Sequence, residues 1–182
     1  MFEVRYETTP NPQSLKFILN KKISDEIIEF KDHQSALRSP LALKILGFPW
    51  AKSVFLGENF VTITKEDWLD WETIQEPLLD LIQEHFNQGE KALLEKKEDR
   101  NLTKTNETED VKKIKDILKK DIQPAVAMDG GYIEFVSYEK GIVYLSLQGA
   151  CSGCPSSTIT LKEGIEARLR QFVPEIKEVV SV

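Results

Sequence analysis

Reactive sulfur is scarce in this sequence, which holds two cysteines and two methionines among its 182 residues. Two cysteines are too few for the disulfide-rich scaffolds of small secreted proteins. No apolar run approaches the ~20 residues of a membrane-spanning helix, and no basic stretch followed by an apolar core opens the chain. The sequence therefore predicts no membrane partner and no export. We expect a bacterial cytoplasmic protein, or a mitochondrial matrix protein if the chain is a processed eukaryotic one.

Positive charge is also in deficit, with 24 basic against 30 acidic residues and a net charge of −6. A chain of this sign has no electrostatic attraction to nucleic acid, so we predict no nucleic-acid partner. The sequence contains no Ser-His-Asp order, phosphate-binding glycine loop or dinucleotide fingerprint. We therefore predict that the protein is not an enzyme.

A polar stretch divides the chain near its middle. Between residues 87 and 110 the apolar side chains are Ala92, Leu93, Leu94 and Leu102. So few apolar groups cannot offset the entropy lost on ordering the segment. We predict a first domain over residues 1–98, a linker over 99–107 and a second domain over 108–182.

Apolar periodicity predicts an α+β fold for the first domain. Ser39 and Pro40 form a helix-start signal, and Gly47 marks the end of that helix. The predicted elements are strands at 2–7, 15–19, 53–56 and 60–64 and helices over 40–46 and 74–86. Six aromatic residues should form the core and rim of this domain, and an exposed subset could dock a partner: Phe48, Trp50, Phe55, Phe60, Trp68 and Trp71.

The second domain is predicted to run helix, strand, strand, helix, strand. Its elements are a helix over 111–122 with Pro124 near its end, strands at 132–138 and 142–147, a helix opened by Pro155 and a strand over 176–182. Leu161, Ile165, Leu169 and Phe172 are predicted to share one face of the second helix. The segment 129–131 is interpreted first as a helix stop and strand entry, and second as a loop beside the cysteines.

Both cysteines, Cys151 and Cys154, lie in one Cys-x-x-Cys loop between a predicted strand and the helix that Pro155 opens. The flanking Gly149 and Gly153 allow a tight turn and close approach of a ligand. Because a helix N-terminus carries partial positive charge, we expect it to lower the thiol pKa values and favour thiolates.

Three chemistries are open to such a pair: a metal or cluster site, a redox dithiol, or a local disulfide. A hairpin before the motif counts against a thioredoxin-like dithiol fold. An iron–sulfur cluster takes about four protein ligands. His33 and His85 are distant, are predicted at the surface and at the border of a helix, and are not expected to be ligands. The simplest completion is a second copy of the chain, which would make a homodimer around a shared cluster.

The sequence resembles the Nfu family over nearly its whole length outside the linker. The C-terminal segments 128–131, 133–136, 145–157 and 161–166 resemble the NifU-like C-terminal domain of that family. The segments 9–12, 14–17, 39–42, 54–55 and 60–65 resemble the Nfu N-terminal domain. One departure stands out, because Tyr132 follows the Asp-Gly-Gly run where the family commonly has Asp or Asn.

The resemblance implies an iron–sulfur cluster scaffold or carrier with two small α+β domains joined by a polar linker. It implies that Cys151 and Cys154 ligate the cluster, typically [4Fe–4S] and alternatively [2Fe–2S], between two protomers. Upstream assembly proteins and apo-proteins that receive the cluster, such as lipoyl synthase and aconitase, are the implied partners. Residues 1–98 carry a net charge of −5 and residues 99–182 a net charge of −1. This difference and the linker lead to the hypothesis that the first domain steers the second toward these recipients.

Overall fold

The computed structural model describes residues 1–94, 108–152 and 155–182, with side chains in the last range from residue 159 onward. The chain divides into two compact units, Met1–Lys97 and Glu98–Val182. Each unit combines helices with a β-sheet, which confirms the α+β prediction. The predicted linker, 99–107, lies outside the described residues, so the predicted domain bounds stay predictions.

The elements of the first unit are β1 (Val4–Thr8), β2 (Ser14–Leu19), β3 (Ile28–Phe30), a 3-10 turn (Ser35–Arg38), α1 (Pro40–Leu46), β4 (Ala51–Leu56), β5 (Phe60–Lys65) and α2 (Trp71–Asn87). The strands form a five-stranded antiparallel sheet in the order β1-β2-β5-β4-β3. β3 was not predicted, because three residues are too few to display a strand period.

Local sequence signals explain the ends of α1. The Ala42 amide donates to the Ser39 hydroxyl at 3.1 Å, and Pro40 occupies the first helical position as predicted. The same hydroxyl donates to the Ala92 carbonyl oxygen at 2.7 Å. Ser39 therefore caps the helix and also fixes the segment that follows α2.

The core of the first unit lies between the two α-helices and one face of the sheet. α2 contributes every fourth residue to it, so these residues share one face of the helix. The buried members from α2 are Ile74, Leu78, Ile82 and Phe86, and those from β2 are Leu15, Phe17 and Leu19.

The second unit follows the predicted order of helix, strand, strand, helix, strand. Its elements are α3 (Glu109–Ile117), a π-helical turn (Leu118–Ile122), α4 (Gln123–Met128), β6 (Gly131–Glu139), β7 (Ile142–Gly149), α5 (Pro155–Arg170) and β8 (Glu178–Ser181). The first helical region continues past Pro124 to Met128. It does so because the π turn changes the hydrogen-bonding pattern and places Pro124 in the first turn of α4, where its missing N–H is tolerated.

β7 is the central strand of a three-stranded sheet, antiparallel to β6 and parallel to β8. Lys140 and Gly141 join β6 to β7 with φ angles of 53° and 85°. Two successive positive φ angles match the right-handed twist of a hairpin, so the tight turn predicted from this segment is present. The register shifts between Phe135 and Ser137, which makes Val136 an extra, bulged residue.

Side chains cover amides on both outer strands of this sheet. The Ile133 amide of β6 donates to Gln123 Oε1 at 3.2 Å. The Val179 amide of β8 donates to Glu166 Oε2 at 3.1 Å, and Arg170 pairs with the other oxygen of that carboxylate at 2.7 Å.

The predicted apolar face of α5 is correct for Ile165 and Leu169, which are buried, but wrong for Phe172. The helix ends at Arg170, and Phe172 lies beyond it, half exposed, with the Arg168 guanidinium 4.9 Å from its ring centroid. Val173 enters the core instead. The helical period placed Phe172 on the wrong side because the chain leaves the helix two residues earlier.

Candidate functional site

The cysteine loop begins at the end of β7 and is hydrogen-bonded to the turn between α4 and β6. Gly149 has a φ of 67°, which a residue with a side chain rarely adopts. The Ala150 amide donates to the Gly130 carbonyl oxygen at 3.2 Å. The Ser152 amide donates to the Gly149 carbonyl oxygen at 3.0 Å. These two bonds fix Cys151 between them.

Gly131 provides the space that the Cys151 side chain occupies. A Cβ placed on Gly131 would overlap the Cys151 Sγ and would lie 3.1 Å from both the Cys151 Cβ and the Gln148 carbonyl oxygen. Gly130, with a φ of 78°, completes the turn that brings Gly131 to this point. The segment 129–131 is thus a helix stop and a strand entry, and it also forms one wall of the Cys151 site.

The Cys151 thiol is free and buried, with 7 % of the residue exposed, inside the core cluster of the second unit. Burial, with a smaller contribution from the Asp129 carboxylate, raises the pKa of this thiol to about 11. The predicted thiolate is therefore wrong for Cys151 in this conformation. The apolar residues around the sulfur disfavour its charged form.

Cys154 and Gly153 lie outside the described residues. α5 begins at Pro155, as predicted, so Cys154 immediately precedes the helix in sequence. Among the described residues, Cys151 is brought together with Gly131 and Asp129, and no group of three His, Cys, Asp or Glu side chains there could hold a metal ion. Ligation by the two cysteines stays a prediction.

His85 is buried in the first unit and not at the border of α2, where the sequence placed it. Its Nδ1 lies 3.2 Å from Lys44 Nζ and 3.3 Å from Glu90 Oε2, and its Nε2 lies 3.2 Å from the Lys91 carbonyl oxygen. Burial lowers the pKa of this imidazole, so the neutral ring accepts from Lys44 and donates to Lys91. These contacts give His85 a structural role that its position in a helical stripe could not show.

Comparisons with known proteins decide the family. Residues 4–89 match the family described as scaffold protein Nfu/NifU N terminal, and residues 114–180 match the NifU-like domain. The chain is 38% identical over 181 residues to the human protein named NFU1 iron-sulfur cluster scaffold homolog, mitochondrial. That alignment covers 98% of this chain and 71% of the human one. The chain belongs to the Nfu family.

Two further similar proteins are a plant relative and a solved structure. NifU-like protein 4, mitochondrial, of Arabidopsis thaliana is 38% identical over 183 residues, covering 97% of this chain and 64% of its own length. A solution NMR structure of a NifU-like protein from Saccharomyces cerevisiae is 26% identical with a TM-score of 0.47, covering 53% of this chain and 87% of that one. The two family models and the human and plant relatives confirm the resemblance stated from the sequence. This chain spans about two thirds of the length of these two named relatives.

Tyr132, the residue at which this Nfu chain departs from the expected Asp or Asn, lies beside the cysteine loop. It pairs with Gln148 in the β6–β7 register, and Gln148 Nε2 donates to Glu134 Oε2 at 3.2 Å. Burial, followed by the charge of Glu134, raises the pKa of the Tyr132 hydroxyl. Because neighbouring residues of a strand face opposite sides, Tyr132 belongs to the sheet face opposite the one where Gly131 contacts Cys151.

No helix among the described residues is long and apolar enough to span a membrane.

Proposed function

We propose that this protein is an iron–sulfur cluster scaffold or carrier that holds a [4Fe–4S] cluster, with [2Fe–2S] as the alternative, and passes it to apo-proteins. The observation that carries the proposal is the Cys151 site. A cysteine is held at a strand end by the Gly149 turn, against a glycine that leaves room for its sulfur. The family membership and the names of the relatives support the scaffold role.

The cluster is proposed to be shared by two protomers through Cys151 and Cys154 of each chain. Such clusters take about four protein ligands, and the two cysteines of one chain supply half of them. A two-fold axis through the loop supplies the other two and leaves the cluster near the surface of both protomers. A shared, accessible cluster suits transfer to another protein.

The burial of Cys151 bears on how a cluster would be loaded. Metal ligands are thiolates, whereas burial raises the pKa of the Cys151 thiol and favours its protonated form. We propose that the Cys151 side chain turns out of the Gly131 site and loses its proton when iron binds.

The proposed partners are a second copy of the chain, upstream assembly proteins and apo-proteins that receive the cluster. A carrier changes no covalent bond of an organic substrate, so the proposal assigns no enzyme activity. The human and Arabidopsis relatives are named as mitochondrial. A reducing compartment is required for free thiols, and the bacterial cytoplasm predicted from the sequence stays a prediction.

Anaerobic reconstitution of the full chain with iron and sulfide tests the proposal. We expect a brown chromophore, about four irons per two chains and a shift from the apo mass to a dimer by sedimentation. Cys151→Ser and Cys154→Ser should each lose the chromophore, while the matched loop variant Ser152→Ala should keep it. Retention of iron by both cysteine variants would refute the ligand assignment. Disulfide turnover at a defined potential without iron would instead identify a dithiol oxidoreductase or thiol chaperone.

A further inference from the structure

One end of the first unit brings together three connecting segments that the proposed function does not use. The turns before β4 and before α2 meet through the Glu66 amide, which donates to the Trp50 carbonyl oxygen at 2.8 Å. The turn before β2 joins them through a hydrogen bond from Gln13 Nε2 to the Asp67 carboxylate. The Lys65 amide also donates to the Gln13 carbonyl oxygen, at 2.9 Å. Hydrogen bonds between the three turns therefore hold this surface together.

Two of these hydrogen-bonded turns each carry an exposed aromatic side chain. Trp68 is 66% exposed, and Phe48 is exposed while its ring stacks on Trp50 with centroids 5.2 Å apart. Trp50 itself is buried, so it supports Phe48 from below. A largely exposed tryptophan leaves a large apolar area in water, and tryptophan is the residue type most enriched among those that dominate binding energy in protein interfaces.

The charged residues nearest to Trp68 along the chain are mostly acidic. Asp67, Asp70 and Glu72 are exposed carboxylates within four residues of it. Asp70 precedes the first turn of α2 but makes no capping hydrogen bond with its side chain. Lys65 does not offset them at the surface, because it is buried with its ammonium 5.5 Å from the Trp71 ring centroid.

We propose that the Trp68 patch, defined as Phe48, Trp68, Asp67, Asp70 and Glu72, binds a basic segment of another protein. The aromatic rings take an apolar side chain of that segment, and the carboxylates pair with flanking lysines or arginines. A second copy of this patch fits poorly as the occupant, because its exposed carboxylates would meet the same carboxylates. This interaction goes beyond the proposed cluster site and does not depend on it.

The probe is a short synthetic peptide with two central leucines flanked by lysines, titrated into the uniformly ¹⁵N-labelled full chain. We expect saturable shifts of the Trp68 indole resonance and of the amides around Asp67. We also expect weaker binding at higher salt, because exposed ion pairs are screened. Two control peptides separate the contributions: one carries glutamates in place of the lysines, and the other carries serines in place of the leucines. Both should bind at least about tenfold more weakly.

Variants then locate the binding surface. Trp68→Ala should weaken binding at least about tenfold, while Leu37→Ala, which alters another apolar residue of the same unit that is 65% exposed, should not. Both are surface changes, so the thermal midpoint should stay within a few degrees of the parent. Equal binding by Trp68→Ala, equal binding of the glutamate peptide, or an absence of saturable shifts would overturn the proposal. Self-association of the free chain that Trp68→Ala abolishes would also overturn it, in favour of a second copy.

Discussion

Gly131→Ala should expel the Cys151 side chain from its site. The new Cβ would stand less than 3.0 Å from the Cys151 Sγ, against the ~3.5–4.0 Å that is optimal for nonbonded carbon atoms. It would also press on the Gln148 carbonyl oxygen at 3.1 Å, and that backbone atom is held in the β6–β7 ladder. The sulfur is the group free to move, so rotation of Cys151 into solvent relieves the overlap.

Two magnitudes follow from this displacement. Overpacking at a buried site costs about 1–3 kcal/mol of unfolding free energy. A thiol moved from the interior into water should also return from a pKa of about 11 toward its ordinary value of 9.0. Since the thiolate is the nucleophile, alkylation of Cys151 at neutral pH should accelerate on the order of 100-fold.

The assay is site-resolved mass spectrometry of iodoacetamide-treated apo-protein over pH 7–10, with urea unfolding measured in parallel. Gly164→Ala is the matched control, because a Cβ at this α5 position meets nothing within 4 Å. It should stabilise the chain by about 0.5–1 kcal/mol through helix propensity and leave Cys151 unreactive. If Gly131→Ala is as stable as the parent and its Cys151 is alkylated as slowly, the steric account is refuted.

Two further predictions concern the first unit. Because burial lowers the pKa of His85 in the folded state, the unfolded chain binds more protons as pH falls below ~6.5, and unfolding free energy should fall with it. His85→Gln should reduce the change of the thermal midpoint with pH between pH 5 and 7, whereas His33→Gln, at an exposed position, should not. An equal pH dependence of the midpoint in both variants would contradict this account. Ser39→Ala removes the hydrogen bonds to Ala42 and Ala92 and should cost about 1–3 kcal/mol in urea unfolding. An unchanged urea midpoint would show that the cap contributes little.

Elements with local sequence signals could be predicted from the sequence. Ser39, Pro40 and Gly47 bound α1 because a cap, a fixed φ and a helix end are decided within a few residues. The turn at Lys140 and Gly141 is equally local. The family could be recognised for a similar reason, since its cysteine block is a continuous run of sequence.

Features that depend on distant residues could not be predicted. The surroundings of Cys151 are set partly by Gly131, twenty positions earlier, and nothing in the local motif indicates that the sulfur points into the core. The buried His85 ring contacts Lys44 and Glu90, which lie outside α2. The glycine pair at 130–131 was a usable signal for the contact between Gly131 and Cys151. A glycine in a strand often marks the close approach of another group.

The covered amides of the C-terminal sheet restrict how this protein can assemble. An uncovered outer strand is a template on which further chains can polymerise, and a protein that must expose a sulfur loop to other proteins is at particular risk of it. Gln123 and Glu166 remove one such donor from each outer strand, and the Val136 bulge disturbs the pairing surface of β6. Fibril-like growth is thereby disfavoured. Contacts between chains are then made by side chains and not by backbone pairing, so they can be reversed.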